Sequence, residues 1–457
     1  MPAINDILNA ISGVIWGPFL LIPLLMATGV YLTVRLGGVQ FRLLGHALWL
    51  ALIKRRDDTG KEAGDVSHFG ALMTAMAATI GIGNITGVAT AISMGGPGAI
   101  FWMWVMGLLG MATKYAEAFL GNHFRRQDQN GEYSGSAAYY LRDGVGGQFG
   151  GILSIAFCLF AVVASFGIGN MTQAHTVSHA LEEQFSIPLW LSGIVMALVV
   201  MFVIIGGIKK IATFASLVVP IMVLLYMLSN IVVLGYYWQE LGAAFHTIVT
   251  DAFSGSAAAG GFTGATVMMA IQYGVARGIF SNESGLGSGA FAAAAAQSSH
   301  PVRQAMVSMT QTFIDTIIMV SLTALMIVVT GAYKVEGLEG ASITGFALET
   351  VFGPVAGGTL AVAALFFALT TILGWSYYGE RSLQQLSNST RLSLSYRVVF
   401  SFIVFIGSIT QLEAVWTFSD IANGLMALPN LVGLLVLTGL VARETNAYLS
   451  QPDWKKG

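Results

Sequence analysis

The stretch Gly81-Ile82-Gly83-Asn84-Ile85-Thr86-Gly87 lies inside an apolar run that extends from about residue 69 to residue 93. Glycine weakens a helix by roughly 1 kcal/mol per residue relative to alanine. Within a membrane, irregular backbone persists only where protein buries it or where it lines a water-filled cavity. The free N–H groups and carbonyls at such a break can hold a carboxylate and a cation. The stretch therefore indicates a broken span that binds a small zwitterion and its coupling ion. A glycine face for close helix packing is the alternative interpretation.

The composition is that of a membrane protein. Of the 457 residues, 55% are hydrophobic and 10% are charged, whereas soluble domains carry about 25% charged residues. The net charge of −2 gives no indication of a nucleic-acid partner, and no obligatory protein partner is evident. The single cysteine, Cys158, excludes a disulfide framework. The N-terminus has no basic segment before an apolar run, so we expect no cleaved signal peptide.

Eleven apolar runs approach the length of about 20 residues that a transmembrane helix needs. We therefore predict an all-α integral membrane protein with eleven transmembrane helices. The runs fall near residues 13–34, 69–93, 97–121, 150–180, 188–207, 211–237, 262–292, 304–331, 354–378, 395–412 and 417–441.

The basic residues predict the orientation. Of the 21 Lys and Arg residues, 18 lie in the odd-numbered connections between runs or in the C-terminal tail. The even-numbered connections contain Lys334 and eight acidic residues. Because basic residues are enriched on the cytoplasmic side, we expect the N-terminus outside and the C-terminus in the cytoplasm. This arrangement requires an odd number of spans, and we expect the protein in the cell (inner) membrane.

A second interrupted run occurs five spans after the first. Residues 271–288 read IQYGVARGIFSNESGLGS and include Arg277 and Glu283. Two glycine-interrupted spans at corresponding positions of two halves are the best sequence indication of a transporter site. Because five is odd, the halves have opposite orientation, as an inverted repeat requires. We predict an N-terminal segment 1–66, a first repeat 67–240, a second repeat 241–442 and a tail 443–457.

Three motifs resemble the alanine/glycine:cation (sodium) symporter family, and the resemblance covers nearly the whole chain. They are residues 77–89 (AATIGIGNITGVA), 95–105 (GGPGAIFWMWV) and 278–288 (GIFSNESGLGS). The resemblance implies sodium-driven uptake of alanine or glycine on a leucine-transporter-like fold, a five-plus-five inverted repeat with one extra N-terminal helix. Ile82 and His175 stand where the family commonly has Thr and Asn, which bears on the preferred amino acid.

The backbone N–H groups of Ile82 and Gly83 are predicted to donate hydrogen bonds to the substrate carboxylate. The resemblance places the fourth span beside the pocket, where Gln173 donates to that carboxylate. An interhelical hydrogen bond is the alternative for Gln173, and a lipid-facing position is the alternative for Trp375, the predicted wall of the side-chain pocket. The predicted substrate-binding set is Thr79, Ile82, Gly83, Gln173, Ser281, Asn282 and Trp375.

For the coupling ion, Asn84 offers an amide oxygen, which hard cations prefer. Helix capping is the alternative for Asn84. The resemblance implies a second sodium site made of Thr370 and Thr371 hydroxyls with carbonyls from the first break, although such hydroxyls also bond their own helix. The predicted metal-binding set is Ala77, Ile80, Asn84, Thr370 and Thr371.

Other polar residues remain open. Glu283 is either a counter-charge in the site or a partner of Arg277, which we favour. Lys114 and Glu117 have the i,i+3 spacing of a helical ion pair near the cytoplasmic interface. Asp315 is unassigned, with proton coupling as one option. A same-fold symporter for glutamine, serine or D-alanine, or one driven by protons, is the first alternative. An intramembrane enzyme is a remote one, because no nucleophile or zinc spacing is convincing.

Overall fold

The computed structural model describes residues 2–17, 19–55, 63–128, 131–254, 267–387, 389–410 and 413–455. The chain is helical almost throughout. One short antiparallel hairpin, β1 (Arg126–Gln127) with β2 (Tyr133–Ser134), interrupts the predicted all-α architecture. This hairpin lies in the connection after the predicted third span, where a polar segment can form two strands outside the membrane.

The helices of the first half of the chain precede a segment that lies outside the described residues. In chain order they are α1 (Pro2–Ile15), α2 (Leu21–Arg35), α3 (Val39–Arg42), α4 (Leu44–Leu48), α5 (His68–Thr79), α6 (Thr86–Gly95), α7 (Ala99–His123), α8 (Ala137–Tyr140), α9 (Gly147–Phe166), α10 (Thr172–Phe185), α11 (Leu189–Ile204), α12 (Gly207–Tyr236) and α13 (Leu241–Ser254).

The second half contains the remaining helices. They are α14 (Val267–Asn282), α15 (Gly289–Ala295), α16 (Pro301–Thr312), α17 (Ser321–Thr330), α18 (Ala341–Phe352), α19 (Val355–Leu386), α20 (Thr390–Ile409) and α21 (Glu413–Leu449). Short π-helical segments, Gly167–Met171 and Phe313–Val320, join α9 to α10 and α16 to α17 into continuous helices.

Seven helices are long and apolar enough to cross a membrane, within the described part of the chain. They coincide with the predicted spans three, four, six, eight, nine, ten and eleven. The predicted first and fifth spans correspond to the shorter apolar helices α2 and α11. The second and seventh predicted spans are each divided between two helices, α5 with α6 and α14 with α15. Residues 262–266 and 411–412 of the predicted runs lie outside the described residues. The total of eleven spans and the division into repeats stay predictions.

The two divided spans lie at the centre of the helix bundle. Helix α7 packs against α14, α15 and α16, and α19 packs against α5, α9 and α10. Glycines permit these close contacts. A Cβ atom on Gly121 of α7 would lie 2.6 Å from the Cα of Ala290 in α15, and one on Gly374 of α19 would lie 2.7 Å from the Cβ of Ala78 in α5. Close packing through glycine, the alternative considered for the first break, therefore occurs at other positions of the bundle.

Candidate functional site

The first break forms where the sequence predicts it. Helix α5 ends at Thr79, and Ile80 and Gly81 are extended, with ψ of 90° at Ile80 and φ of −133° at Gly81. A single 3₁₀ turn covers Ile82–Asn84 before α6 begins at Thr86. A Cβ atom on Gly81 would lie 2.5 Å from the Thr371 hydroxyl oxygen. Glycine at position 81 thus allows α19 to approach the broken backbone.

The second break is a tight left-handed turn. Helix α14 ends at Asn282, and Glu283, Gly285 and Gly287 have φ values of +57°, +98° and +85°. Glycine adopts such angles readily, whereas a residue with a side chain pays roughly 1–2 kcal/mol. Strain of this kind persists where the surrounding structure determines it and is often associated with function. A glutamate at position 283, where glycine would be less strained, therefore indicates that its side chain has a role.

A carboxylate of the protein itself occupies the amides of the second break. The amide N–H groups of Gly285 and Gly287 each donate to Glu117 Oε1 at 2.9 Å, and Asn430 Nδ2 donates to the same oxygen at 2.8 Å. Glu117, on α7, is fully buried. Among the described residues, no hydrogen bond joins Lys114 to Glu117, although the Lys114 charge attracts the carboxylate electrostatically. The Gly285 and Gly287 amides of the second break are thus paired with a carboxylate of the protein.

The first break brings together several of the predicted substrate-binding residues. The Ile82 amide donates to Gln173 Oε1 over a long 3.5 Å, and Gln173 Nε2 donates to the Ile168 carbonyl. A Cβ atom on Gly83 would lie 3.4 Å from the Cα of Ser281, so the two breaks meet at this glycine. Gln173 thus contacts the first break, although it directs its acceptor oxygen, rather than its predicted donor, toward the Ile82 amide.

Asp315 connects the two breaks. Its Oδ1 accepts from Asn84 Nδ2 at 2.9 Å and from Ser281 Oγ at 3.1 Å, and its Oδ2 accepts from Ser281 Oγ at 2.9 Å and Thr316 Oγ1 at 2.8 Å. Asp315 is fully buried, and the hydrogen-bond donors to it among the described residues are all neutral. The sequence analysis left this residue unassigned. The sequence feature that identifies Asp315 is an acidic residue inside an apolar span, because such a residue usually faces a cavity or a partner.

Two unpaired oxygens accompany this carboxylate. Asn84 Oδ1 and Gln311 Oε1 are buried without a hydrogen-bond partner in the described part of the chain. Gln311 Nε2 donates to Thr79 Oγ1 at 3.0 Å and to the Asn282 carbonyl at 3.4 Å. Asn282 uses its own amide for Thr316 Oγ1 and the Ser284 N–H. The carboxylate of Asp315 and the amide oxygen of Asn84 form the oxygen-rich donor set that a hard cation prefers.

The threonine pair on α19 divides into one residue at the break and one outside it. Thr371 Oγ1 donates to the Ala77 carbonyl at 3.1 Å, which is the predicted neighbour. Thr370 Oγ1 instead donates to the carbonyls of Phe366 and Phe367 in its own helix. The Thr370 hydroxyl therefore does not donate to the first break, and its predicted role in an ion site stays a prediction, since its oxygen lone pairs are not used by these bonds. Ile80 lies at the end of α5, as predicted.

Trp375 is buried in the protein rather than facing lipid. It is 1% exposed, and its Nε1 donates to Glu283 Oε1 at 2.8 Å. The favoured pairing of Glu283 with Arg277 is wrong. Arg277 instead contacts Asp420 of α21 at 2.9 Å, because an i,i+6 spacing does not bring two side chains together on a helix.

His175 and His179 form no metal site in the described residues. Their rings lie 3.9 Å apart, and His175 Nδ1 lies 2.8 Å from the Thr410 carbonyl. His175 thus makes a polar contact with the backbone at the end of α20.

A cavity of about 200 Å³ leads from the protein surface to the first break. Its lining includes the buried Ile82 and the exposed Glu183 and Glu349. The walls come from α6, α10, α18 and α19. The cavity therefore reaches Ile82 of the first break from this face.

Comparison with known proteins agrees with this architecture. The model of the sodium:alanine symporter family matches residues 1–457. The sodium/alanine symporter AgcS of Methanococcus maripaludis is 46% identical over 447 residues, which cover 97% of each chain. An uncharacterized transporter of Haemophilus influenzae is 48% identical over 450 residues, covering 98% of this chain and 97% of the relative.

Among solved structures, MhsT in complex with L-phenylalanine has a TM-score of 0.60 with 14% identity, covering 86% of this chain and 94% of MhsT. This likeness supports the leucine-transporter-like fold. From the family match and the relatives, the chain belongs to the sodium:alanine symporter family.

Proposed function

We propose that this protein is a sodium-coupled symporter that imports small neutral amino acids, alanine and glycine, by alternating access. The observation that carries the proposal is the position of Asp315, whose carboxylate bonds to Asn84 of the first break and Ser281 of the second. A buried carboxylate held by neutral hydrogen-bond donors is stabilised by a bound cation or proton, because desolvating a charge costs many kcal/mol, and Lys114 supplies a positive charge that acts on Asp315 without a hydrogen bond among the described residues. A cation at Asp315 would therefore stabilise both breaks at once.

The proposed substrate-binding site is at the first break. The substrate carboxylate binds the N–H groups of Ile82 and Gly83, since Glu117 already occupies the amides of the second break. Gln173 lies against this backbone, and Trp375 bounds the space for the side chain. A carboxylate so close to Asp315 also needs a cation between the two negative groups, which couples substrate binding to ion binding.

The ion is held by oxygen atoms of residues from different helices. Asp315, Asn84 and Ser281 supply one set, and Ala77, Ile80 and Thr371 supply the second predicted site, with Thr370 directed elsewhere. Sodium binds from outside and orders the two breaks, after which the amino acid binds. A bundle containing the second and seventh spans then rocks, and both solutes leave toward the cytoplasm. The membrane potential contributes about 2.3 kcal/mol per charge per 100 mV.

The proposed setting is the inner membrane, with the N-terminus outside and the C-terminus in the cytoplasm. Glutamine, serine or D-alanine as substrate, and protons as coupling ions, are the alternatives, because a buried carboxylate can bind either H⁺ or Na⁺. The protein is not an enzyme in this proposal, as its family is one of transporters.

The test is uptake of labelled alanine into proteoliposomes with an inward Na⁺ gradient, an inward H⁺ gradient, or neither. Unlabelled glycine, glutamine, serine and D-alanine compete in parallel samples. We expect accumulation with the Na⁺ gradient that monensin abolishes and that alanine and glycine inhibit most strongly. Accumulation with the H⁺ gradient alone would show that protons rather than sodium drive uptake. Stronger inhibition by glutamine would show that glutamine is the preferred substrate. No amino-acid uptake by correctly folded protein would refute the proposal.

A further inference from the structure

The indole of Trp375 is fixed by its surroundings. On one side it lies against bare backbone, since a Cβ atom on Gly169 would lie 2.2 Å from the Cβ of Trp375. On another side Tyr378 makes an edge contact, with ring centroids 5.6 Å apart. Its Nε1 donates to Glu283 Oε1 at 2.8 Å. Packing thus restrains the ring, and one hydrogen bond fixes its rotation.

Trp375 also lies directly next to the predicted substrate site. It follows Thr371 by four residues on α19, and residues at this spacing share a helix face one turn apart. Gly169 and Gln173 have the same spacing along the fourth predicted span. Thr371 and Gln173 meet at the first break, since a Cβ atom on Gly81 would lie 2.5 Å and 3.2 Å from their side-chain oxygens. The indole therefore forms the layer one turn beyond this junction.

Glu283 is held as firmly as the indole that it contacts. It is 1% exposed, and Ser288 Oγ donates to its second carboxylate oxygen at 2.6 Å. Its backbone has the left-handed φ of +57° that disfavours residues with side chains. A glycine at this position would form the turn with less strain, so the turn does not explain why the residue is a glutamate. The hydrogen bond from Trp375 to its carboxylate explains it.

We propose that Glu283 is a positioning residue that sets amino-acid selectivity by fixing the rotation of Trp375. The inference rests on the proposed function and adds the residue that determines the size limit of the same site. A side chain larger than that of alanine requires the indole to move. The hydrogen bond to Glu283 opposes that movement, so small neutral amino acids are favoured over branched ones such as valine and leucine.

The experiment measures inhibition of labelled alanine uptake by unlabelled alanine, valine and leucine, in proteoliposomes of the full-length protein. Glu283→Gly removes the acceptor and relieves the left-handed backbone, so the turn is preserved. We expect the preference for alanine over leucine to fall about tenfold, the size of a lost hydrogen bond to a charged group. Glu283→Gln keeps an acceptor oxygen and should retain most of the preference.

A double-mutant cycle separates positioning from general stabilisation. Trp375→Phe removes the indole donor, and the variant that combines it with Glu283→Gly should show the same preference as Trp375→Phe alone. Trp104→Phe is the matched control, because Trp104 Nε1 makes an equivalent 2.8 Å bond to Ser321 Oγ outside the site. We expect this control to retain the wild-type preference.

Three outcomes would overturn the inference. They are an unchanged preference in Glu283→Gly, an equal loss in Glu283→Gln, and independent effects of the two substitutions in the double variant. The absence of amino-acid transport by the wild-type protein would instead overturn the proposed function, and this inference with it. Wild-type transport with an unchanged preference in Glu283→Gly would overturn the inference alone.

Discussion

Neutralising Asp315 should uncouple uptake from the sodium gradient. In Asp315→Asn the oxygen of the new amide can still accept from Asn84, and the hydroxyls of Ser281 and Thr316 can rotate to accept from its NH₂ group. The shape and most hydrogen bonds of the site are thereby kept, while the negative charge is removed. The perturbation thus tests the charge rather than the packing.

The expected magnitude follows from the distances around the carboxylate. A cation bound directly to an Asp315 oxygen, at the roughly 2.3–2.6 Å typical of hard cations, lies within about 4 Å of the negative charge. At that separation, with an effective dielectric constant of 20, the two charges attract each other by about 4 kcal/mol. The sodium concentration for half-maximal uptake should therefore rise by up to about a thousandfold.

The assay is alanine accumulation in proteoliposomes under a tenfold Na⁺ gradient and an imposed potential of about 100 mV. One coupled sodium ion then supports an accumulation of up to about 500-fold. In Asp315→Asn this ratio should approach one. Thr316→Val removes one hydrogen-bond donor to the same carboxylate but leaves its charge, and should retain sodium-dependent accumulation. An Asp315→Asn variant with the wild-type sodium dependence would refute the reasoning.

Three further predictions concern the breaks. Glu117→Ala should lower the thermal stability in detergent by several kcal/mol, since it leaves two buried amides unpaired at about 1–3 kcal/mol each; a wild-type melting temperature would contradict this. Gly81→Ala should abolish uptake, because its Cβ atom would lie 2.5 Å from a hydroxyl of α19, whereas Gly235→Ala, with open space around the new Cβ, should be silent in the same assay. Thr371→Val should raise the sodium concentration for half-maximal uptake by about tenfold, and Thr370→Val should not, because its hydroxyl bonds its own helix. Equal effects of the two threonine substitutions would argue against the second ion site.

The positions of the breaks were predictable because backbone conformation is a local property. Glycines at 81, 83, 285 and 287 make a continuous helix unfavourable wherever the chain is placed. The structure ends α5 at Thr79 and α14 at Asn282, two and three residues before the first of these glycines. The apolar runs likewise locate the helices, since about 20 apolar residues suffice to span a membrane. Ile82, Gly83 and Ser281 were named from the breaks, whereas Thr371 was named from the family resemblance.

The partners of the charged residues were not predictable in this way. Spacing along the chain suggested Glu283 with Arg277 and Lys114 with Glu117. In the structure Glu283 contacts Trp375, which is 92 residues distant in sequence, and Glu117 contacts Gly285, which is 168 residues distant. A helix-based rule considers neighbours three or four residues apart. Such a rule does not predict a contact between α7 and a turn in another span.

The sequence by itself determined that this is a membrane protein with two interrupted spans, and through its motifs it indicated the symporter family. Periodicity, charge placement and glycine content carry this information, because each acts on a short segment in a uniform lipid environment. Only the tertiary structure decided which break pairs its amides with a carboxylate of the protein, since Glu117 reaches the second break from α7. It also decided that Asp315 joins the two breaks and that Thr371, rather than Thr370, faces Ala77. These choices depend on how helices rotate and pack against each other, and a linear pattern of residues does not specify that rotation.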